Sequence, residues 1–270
     1  MGSKESKKAL AKKLGVSRSS LYYESKMKVR DNCIREQILS VLAEHPSYGH
    51  KRLALHLGLN KKRILRVMKK YGIKPYRRRS RRPRKPGDLG KDPMAVANWA
   101  KAICPLARNV LWASDFTYFW FHGKWWYLAT ILDVFSREIV GFSFSGRHDQ
   151  ELVLSALRDA LERNPAPKYL HSDQGSEYQA YSYFELLKRL RIEVSFSAKA
   201  SPWQNGYQES FYSEFKKDLG DTSRFETIGE FVEGLYLQIH YYNNDRIHTA
   251  LKMPPASYAA QHSRLEYKLS

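Results

Sequence analysis

Residues 109–145 contain three successive runs, NVLWASDFTYFWF, KWWYLATILDV and REIVGFSFS, all dense in aromatic and β-branched residues. Such residues favour extended backbone because their side chains pack well on a pleated surface. Turn residues separate the runs, His122-Gly123 after the first and Ser136 after the second. The spacing predicts an antiparallel meander. Beyond it the periodicity alternates. A helix capped near Asp149 carries Leu154, Leu157 and Leu161 along one side, and YLHSD (169–173) reads as a short strand. Residues 181–191 read as a helix, IEVSFS (192–197) as a fifth strand, and FYSEFKKDL as the first of the late helices. A short helical segment at 93–103 leads in. The order βββαβαβ, then helices, predicts an α/β layer fold on a mixed sheet.

Charge is segregated along the chain. Residues 1–92 hold 27 Lys and Arg against 7 Asp and Glu, whereas residues 93–270 hold 19 against 20. An excess confined to the first third points to a polyanionic partner, most often nucleic acid. An apolar content of 43% excludes general disorder. No apolar run approaches the length of a membrane span, and the start, MGSKESKKAL, has no secretory apolar stretch. Cys33 and Cys104 offer neither a disulfide framework nor a metal pair, so both are expected to be ordinary buried thiols in a reducing cytoplasm.

Residues 7–24, KKALAKKLGVSRSSLYYE, read as helix, tight turn, helix. Gly15 ends the first helix and Ser17 caps the second, with Leu10, Leu14, Val16 and Leu21 as apolar contacts. Ala11, Gly15 and Leu21 have the offsets of a helix-turn-helix, and the second helix presents Arg18, Ser19 and Tyr22 outward. A helix at 31–45, with Ile34, Ile38, Val41 and Leu42 at helical spacing, precedes a second such unit. There Ala54, Gly58 and Ile64 repeat the offsets, Asn60 is a cap, and Lys61, Lys62, Arg63 and Arg66 lie on or beside the second helix. Two basic units in tandem point to double-stranded DNA.

The stretch KPYRRRSRRPRKPGDLGKD (74–92) has eight Lys or Arg within residues 74–85. Arg77, Arg78, Arg79, Arg81, Arg82, Arg84 and Lys85 belong to it. Broken by prolines, it reads as a flexible linker ordered, if at all, against phosphates; a nuclear-localisation signal has the same composition. The expected organisation is a helix-turn-helix module (1–26), a second DNA-binding domain (27–74), an Arg-rich linker (75–92), an α/β domain (93–260) and a tail (261–270).

Three acids stand out. Asp115 lies within the first strand, on the face of Leu111 and Ala113, where a carboxylate is costly unless a partner or metal compensates it. Asp173 ends the fourth strand in HSDQGSEY. Glu209 opens the helix after SPWQNG, a place acids also favour for the helix dipole alone. Brought together by the fold, the three would form the oxygen-rich site that Mg²⁺ prefers. Two such ions, roughly 3.5–4 Å apart, suit phosphodiester chemistry.

Thirty-five residues separate Asp173 from Glu209. With that spacing and strand order, the motifs WASDFTYF, YLATILDVFSREIVG, HSDQGSEY, SPWQNGYQESF and YNNDRIHTAL together resemble the OrfB-type transposases of the IS-three group of insertion sequences. These belong to the DDE integrase and transposase superfamily, built on a ribonuclease-H-like core. HPSYGHKRLALHLG is similar to that family's helix-turn-helix region, and the resemblance spans about residues 28–260. It implies a DNA transposase in which Asp115, Asp173 and Glu209 are catalytic metal ligands for Mg²⁺, two ions, with Mn²⁺ able to substitute. It implies nicking at element ends, then attack of the freed 3′-OH on a second strand without a covalent protein–DNA intermediate. It further implies that Lys216, seven positions after Glu209, lies near the DNA end, that the protein acts as a homo-oligomer pairing two ends, and that it resides in the bacterial cytoplasm with the nucleoid.

Other residues weigh differently. Asp133 suits a strand-end or turn role, and Glu177 and Glu214 suit a position on the surface or around the site. His171 either orients Asp173 or packs at a strand end. Arg246 and His248 either touch DNA or, the favoured reading, tie down the last helices. No zinc site is visible among nine histidines. Two rivals share the fold: a DNA-binding regulator without chemistry, which the intact acid set opposes, and a nuclease on RNA–DNA hybrids, whose A-form grooves hide base edges from helix-turn-helix modules.

Overall fold

The computed structural model describes residues 6–22, 26–77, 103–197 and 205–266. The chain divides into two compact units, Met1–Pro75 and Tyr76–Ser270.

In the first unit, helix α1 (Lys7–Lys13) begins where the Ser6 hydroxyl accepts the Ala9 N–H. It is followed by Gly15 at φ +64°, a left-handed position suited to glycine. The stretch expected as a second helix is instead a five-residue 3₁₀ turn, Arg18–Tyr22. The Ser17 hydroxyl bonds those of Ser19 and Ser20, each at 2.8 Å, and such local bonding competes with helix formation. Leu10, Leu14 and Val16, expected as apolar contacts, are exposed; of the described residues 6–22, Ala11 alone is buried. Elements this short have too little apolar area to close a core of their own.

Helices α2 (Lys26–Glu44), α3 (His50–His56) and α4 (Lys61–Lys70) do close one. Ile34, Ile38 and Val41 of α2, Leu53 and Ala54 of α3, and Ile64, Val67 and Met68 of α4 are all buried. The α3–α4 turn has the form read from the sequence. Gly58 has φ +63°, and Asn60 Oδ1 accepts the Lys62 N–H at 2.8 Å. Cys33, next to the buried Ile34 stripe, is exposed, and so is Cys104 ahead of the first strand; neither is the buried thiol expected.

The second unit is built on a mixed five-stranded sheet in the order β3-β2-β1-β4-β5. Strands β1 (Leu111–Phe121), β2 (Lys124–Asp133) and β3 (Ile139–Ser145) form the antiparallel meander. Strands β4 (Tyr169–Ser172) and β5 (Glu193–Phe196) add in parallel. His122 and Gly123, with φ of 46° and 73°, make the tight turn between β1 and β2. Helices α5 (Gln150–Arg163) and α6 (Tyr181–Arg189) cover one face, burying Trp112, Ala129, Ile131, Leu157 and Leu187 together. The Asp149 carboxylate caps α5 by accepting the Leu152 N–H. Gly141 lets α5 lie against β3, since a Cβ there would stand 2.5 Å from the Ala156 carbonyl and from Ala160.

The opposite face carries α7 (Gly206–Leu219) and α8 (Ile228–Asn244), with α9 (Pro255–Glu266) after them. Leu111, Ala113, Phe211, Phe215, Phe231 and Leu235 share its core. Helix, sheet and helix layers thus follow the predicted order. The lead-in helix expected at 93–103 lies, except for Ile103, outside the described residues. No helix among the described residues is long and apolar enough to cross a membrane.

Candidate active site

Strand alternation puts Asp115 on the face of Leu111 and Ala113, toward α7. The parallel register pairs Ala113 with His171. Asp173, two residues beyond His171, therefore leaves the end of β4 level with Asp115. Its Oδ1 accepts the Gly175 N–H at 3.0 Å. A Cβ at 175 would stand 2.7 Å from Glu177 Oε2 and 3.1 Å from Asp173 Oδ1, so a side chain there would push these carboxylate ends aside.

Glu209 is exposed in the first turn of α7, whose start is fastened to β1 by its neighbours. Asn205 Nδ2 donates to the Ser114 carbonyl at 3.1 Å. Gln208 Nε2 donates to the carbonyls of Ala113 (2.6 Å) and Thr130 (3.1 Å), and Thr130 Oγ1 donates back to Gln208 Oε1. The Tyr212 hydroxyl donates to the Asp115 carbonyl at 2.7 Å. Asn205, Gln208 and Tyr212 were not singled out from the sequence. Their spacing along one helix face, flanking Glu209, is the signal that would have found them.

Asp173 and Glu209 both act on Asp115. Burial pushes the Asp115 carboxyl up to about 7, and the charges of Asp173 and then Glu209 add to the effect; the Phe116 N–H and Lys216 oppose it. Burial also raises Asp173, with Glu177 adding, while the Gly175 N–H and His148 pull it down. Among the described residues, no three His, Cys, Asp or Glu groups are gathered closely enough to hold an ion as they stand. The donor chemistry nevertheless fits a hard divalent cation: carboxylate oxygens only, centred on an acid whose neighbours repel its charge.

The other residues fall as follows. Lys216 Nζ donates to the Tyr118 carbonyl at 3.1 Å, on the Glu209 side of α7. Glu177, buried, pairs with His148 Nε2 at 2.9 Å; the His148 ring lies 4.4 Å from Phe116 and 5.0 Å from Tyr127. Asp133 has the strand-end role, accepting from the N–H groups of Asn109 (2.8 Å) and Ser136 (2.7 Å). His171 Nδ1 pairs with Ser195 Oγ at 2.8 Å on β5. Arg246, fully buried, binds Asp218 and Glu214 and so ties the last helices to α7. His248 bridges to Met253 through its backbone.

In the first unit, Arg18, Ser19, Tyr22, Lys61, Lys62 and Arg63 are exposed. Arg66 differs. Its guanidinium forks onto Asp31 of α2, at 2.9 and 2.5 Å, and Lys70 joins at 2.8 Å. Arg77 is exposed, whereas Arg78, Arg79, Arg81, Arg82, Arg84 and Lys85 lie outside the described residues.

Two family profiles, each described as Integrase core domain, match residues 105–202 and 190–255. Over 84% of this chain and 93% of its own length, the transposase for insertion sequence element IS904 of Lactococcus lactis is 33% identical. The transposase InsF for insertion sequence IS3A of Escherichia coli is 37% identical over 40% of this chain and 38% of its own. The chain belongs to the IS3-type DDE transposases. Such a transposase is a polynucleotidyl transferase acting on DNA. Its fold is also that of a chain in the simian T-cell lymphotropic virus intasome solved in complex with PP2A regulatory subunit B56 gamma. That likeness has a TM-score of 0.53 at 18% identity, covering 81% of this transposase and 73% of the viral chain.

Proposed function

We propose that Asp115, Asp173 and Glu209 are the catalytic carboxylates with which this transposase nicks the 3′ ends of its element and joins them to a target. The observation carrying this reading is half-buried Asp115, on whose carboxyl the charges of Asp173 and Glu209 both act, with the start of α7 tied to β1 by the Asn205, Gln208 and Tyr212 bonds. Asp115, Asp173 and Glu209 would hold two Mg²⁺ ions, or Mn²⁺ in their place. When bound, such ions polarise the attacking oxygen and neutralise charge on the leaving one. In the first step water oxygen attacks phosphorus and the 3′ oxygen leaves as a hydroxyl. In the second, that 3′-OH attacks a phosphodiester of the target, so one P–O bond forms as another breaks and no external energy source is needed.

The chain's own residues supply position. Gln208 and Tyr212 fix the height of Glu209 over the sheet; Gly175 shapes the loop that presents Asp173; Lys216 places a cation where the DNA end would lie. The basic first third, residues 1–92, holds the duplex through Arg18, Ser19, Tyr22, Lys61, Lys62, Arg63 and the run from Arg77 to Lys85. Within it, modules 1–26 and 27–74 and linker 75–92 precede catalytic domain 93–260. Two or more copies pair two element ends, in the bacterial cytoplasm at the nucleoid.

The test incubates DNA from both flanks of the gene with protein and Mg²⁺ or Mn²⁺, mapping nicks and joined products. Metal-dependent cutting at a fixed terminus plus joining, both lost in Glu209→Gln with DNA binding retained, is expected. Binding without cutting, identical in both proteins, would instead indicate the regulator. Cutting that survives in Glu209→Gln would reject this glutamate.

A further inference from the structure

The β1–β2 hairpin extends well past β4, which pairs with β1 only over Leu111–Ala113. Beyond that point the outer edge of β1 is closed by side chains instead of a strand: Lys216 Nζ donates to the Tyr118 carbonyl and Thr222 Oγ1 to that of Trp120. Beside this edge stand three large rings, Tyr118, Trp120 and Trp125, exposed to 55%, 54% and 46%. They meet edge to face, Trp120 and Trp125 at 4.9 Å between centroids and Tyr118 and Trp125 at 5.2 Å. An open cleft of about 490 Å³ has Tyr118, Trp120, Trp125, Lys216 and Thr222 among its walls. The Lys216 ammonium lies 5.2 Å from the Tyr118 ring centre. At the rim, the Asp221 carboxylate accepts the Ser223 N–H.

Half-exposed rings in such a cluster offer flat apolar faces to an occupant, and the cation among them gives that occupant its sign. Lys216 also acts on Asp115 and lies two helical turns, about 10 Å, from Glu209. Lys216 thus links the cleft to the candidate active site around the edge of β1, for Tyr118 and Trp120 stand on the face of the strand opposite Asp115. A base has a π-face for a ring and a phosphate has the charge for a lysine.

We propose that this cleft holds an unstacked nucleotide of the DNA strand running out from the reacting phosphodiester, its base against Tyr118, Trp120 and Trp125 and its phosphate against Lys216. This rests on the reading of Asp115, Asp173 and Glu209 as the catalytic acids and adds to it a binding site for a single nucleotide. The lysine within the aromatic cluster favours a nucleotide over a second copy of the chain, which would have to bury that charge.

The test uses the full chain, without divalent ions, and two labelled single-stranded dodecamers: oligothymidine, and the same sugar–phosphate backbone lacking bases. Anisotropy should show tighter binding of the base-bearing strand. Trp120→Ala and Tyr118→Ala should weaken that strand about ten- to a hundredfold while leaving the abasic strand nearly unchanged. Trp120→Phe, which keeps a ring, should retain the preference. Both positions are exposed, so folding is expected to survive, and circular dichroism would check it. Equal affinity of the wild type for both strands, or equal loss on both in the alanine variants, overturns the proposal. So does an unchanged base preference accompanied by lost self-association in Trp120→Ala, which would make the patch an interface between copies. Metal-dependent cutting that persists alongside any of these results removes this site alone; a wild type that cuts no flanking DNA removes the catalytic reading beneath it.

Discussion

A carboxylate in water is ionised well below neutrality, yet Asp115 is raised to about 7, first by burial and then by Asp173 and Glu209. The sign of its effect on stability follows. The folded state holds the proton more tightly than the unfolded one, so the acid destabilises the fold increasingly as pH rises from about 4 to about 7. Asp115→Asn removes that penalty. Without divalent ions, thermal unfolding near pH 8 should show the variant more stable, on the order of 2–4 kcal/mol, with the gain vanishing near pH 4. Mg²⁺ should stabilise the wild type and leave the variant unmoved. Asp115 was legible because a charge interrupts an apolar strand. Arg66 was not: exposed cations crowd α4, and its partner, Asp31, lies 35 positions upstream, a distance no helical period reveals. The two arginines of α4 should therefore separate. Arg63→Ala should lower DNA affinity and reduce the salt slope by about 1 at unchanged melting temperature. Arg66→Ala should chiefly lower the melting temperature.

At the scale of elements, α7 does two things. Its first turns bond β1 through Gln208 and Tyr212, and its later turns hold Asp218 and Glu214 against Arg246. Arg246→Ala leaves both carboxylates without their buried cation and should cost about 3–5 kcal/mol in chemical denaturation, with no direct effect on DNA affinity. The sequence reading already favoured that anchoring role over a contact with DNA. The meander, α5 and both short strands were legible from the alternation of apolar periods and from Asp149 and His122-Gly123. The 3₁₀ turn at Arg18–Tyr22 was not, because a serine run can cap a helix or replace one, and the choice depends on packing that this small segment lacks. Gln208 escaped notice because buried amides look like surface residues until the carbonyls they serve are placed.

At the scale of the whole molecule, residues 1–75 hold 19 Lys and Arg against 5 Asp and Glu, and residues 76–270 hold 27 against 22. More of the long-range attraction to DNA should therefore come from the first unit than from the one that carries the three acids. The fold class followed from element order, which local sequence largely determines. The candidate site was legible as three separate acids. Where each stands relative to the others depends on the parallel register of β4 on β1 and on the side-chain bonds of α7, both products of tertiary structure.

Metal ligation by Asp115 is open to a change of donor atom. In Asp115→Cys the hard oxygen becomes a softer sulfur, which Mg²⁺ disfavours and Mn²⁺ tolerates better. Strand joining by the folded, DNA-bound variant should be lost in Mg²⁺ and recovered at least in part in Mn²⁺. Joining in Mg²⁺ at the wild-type rate, or equal loss in both ions, would contradict the account.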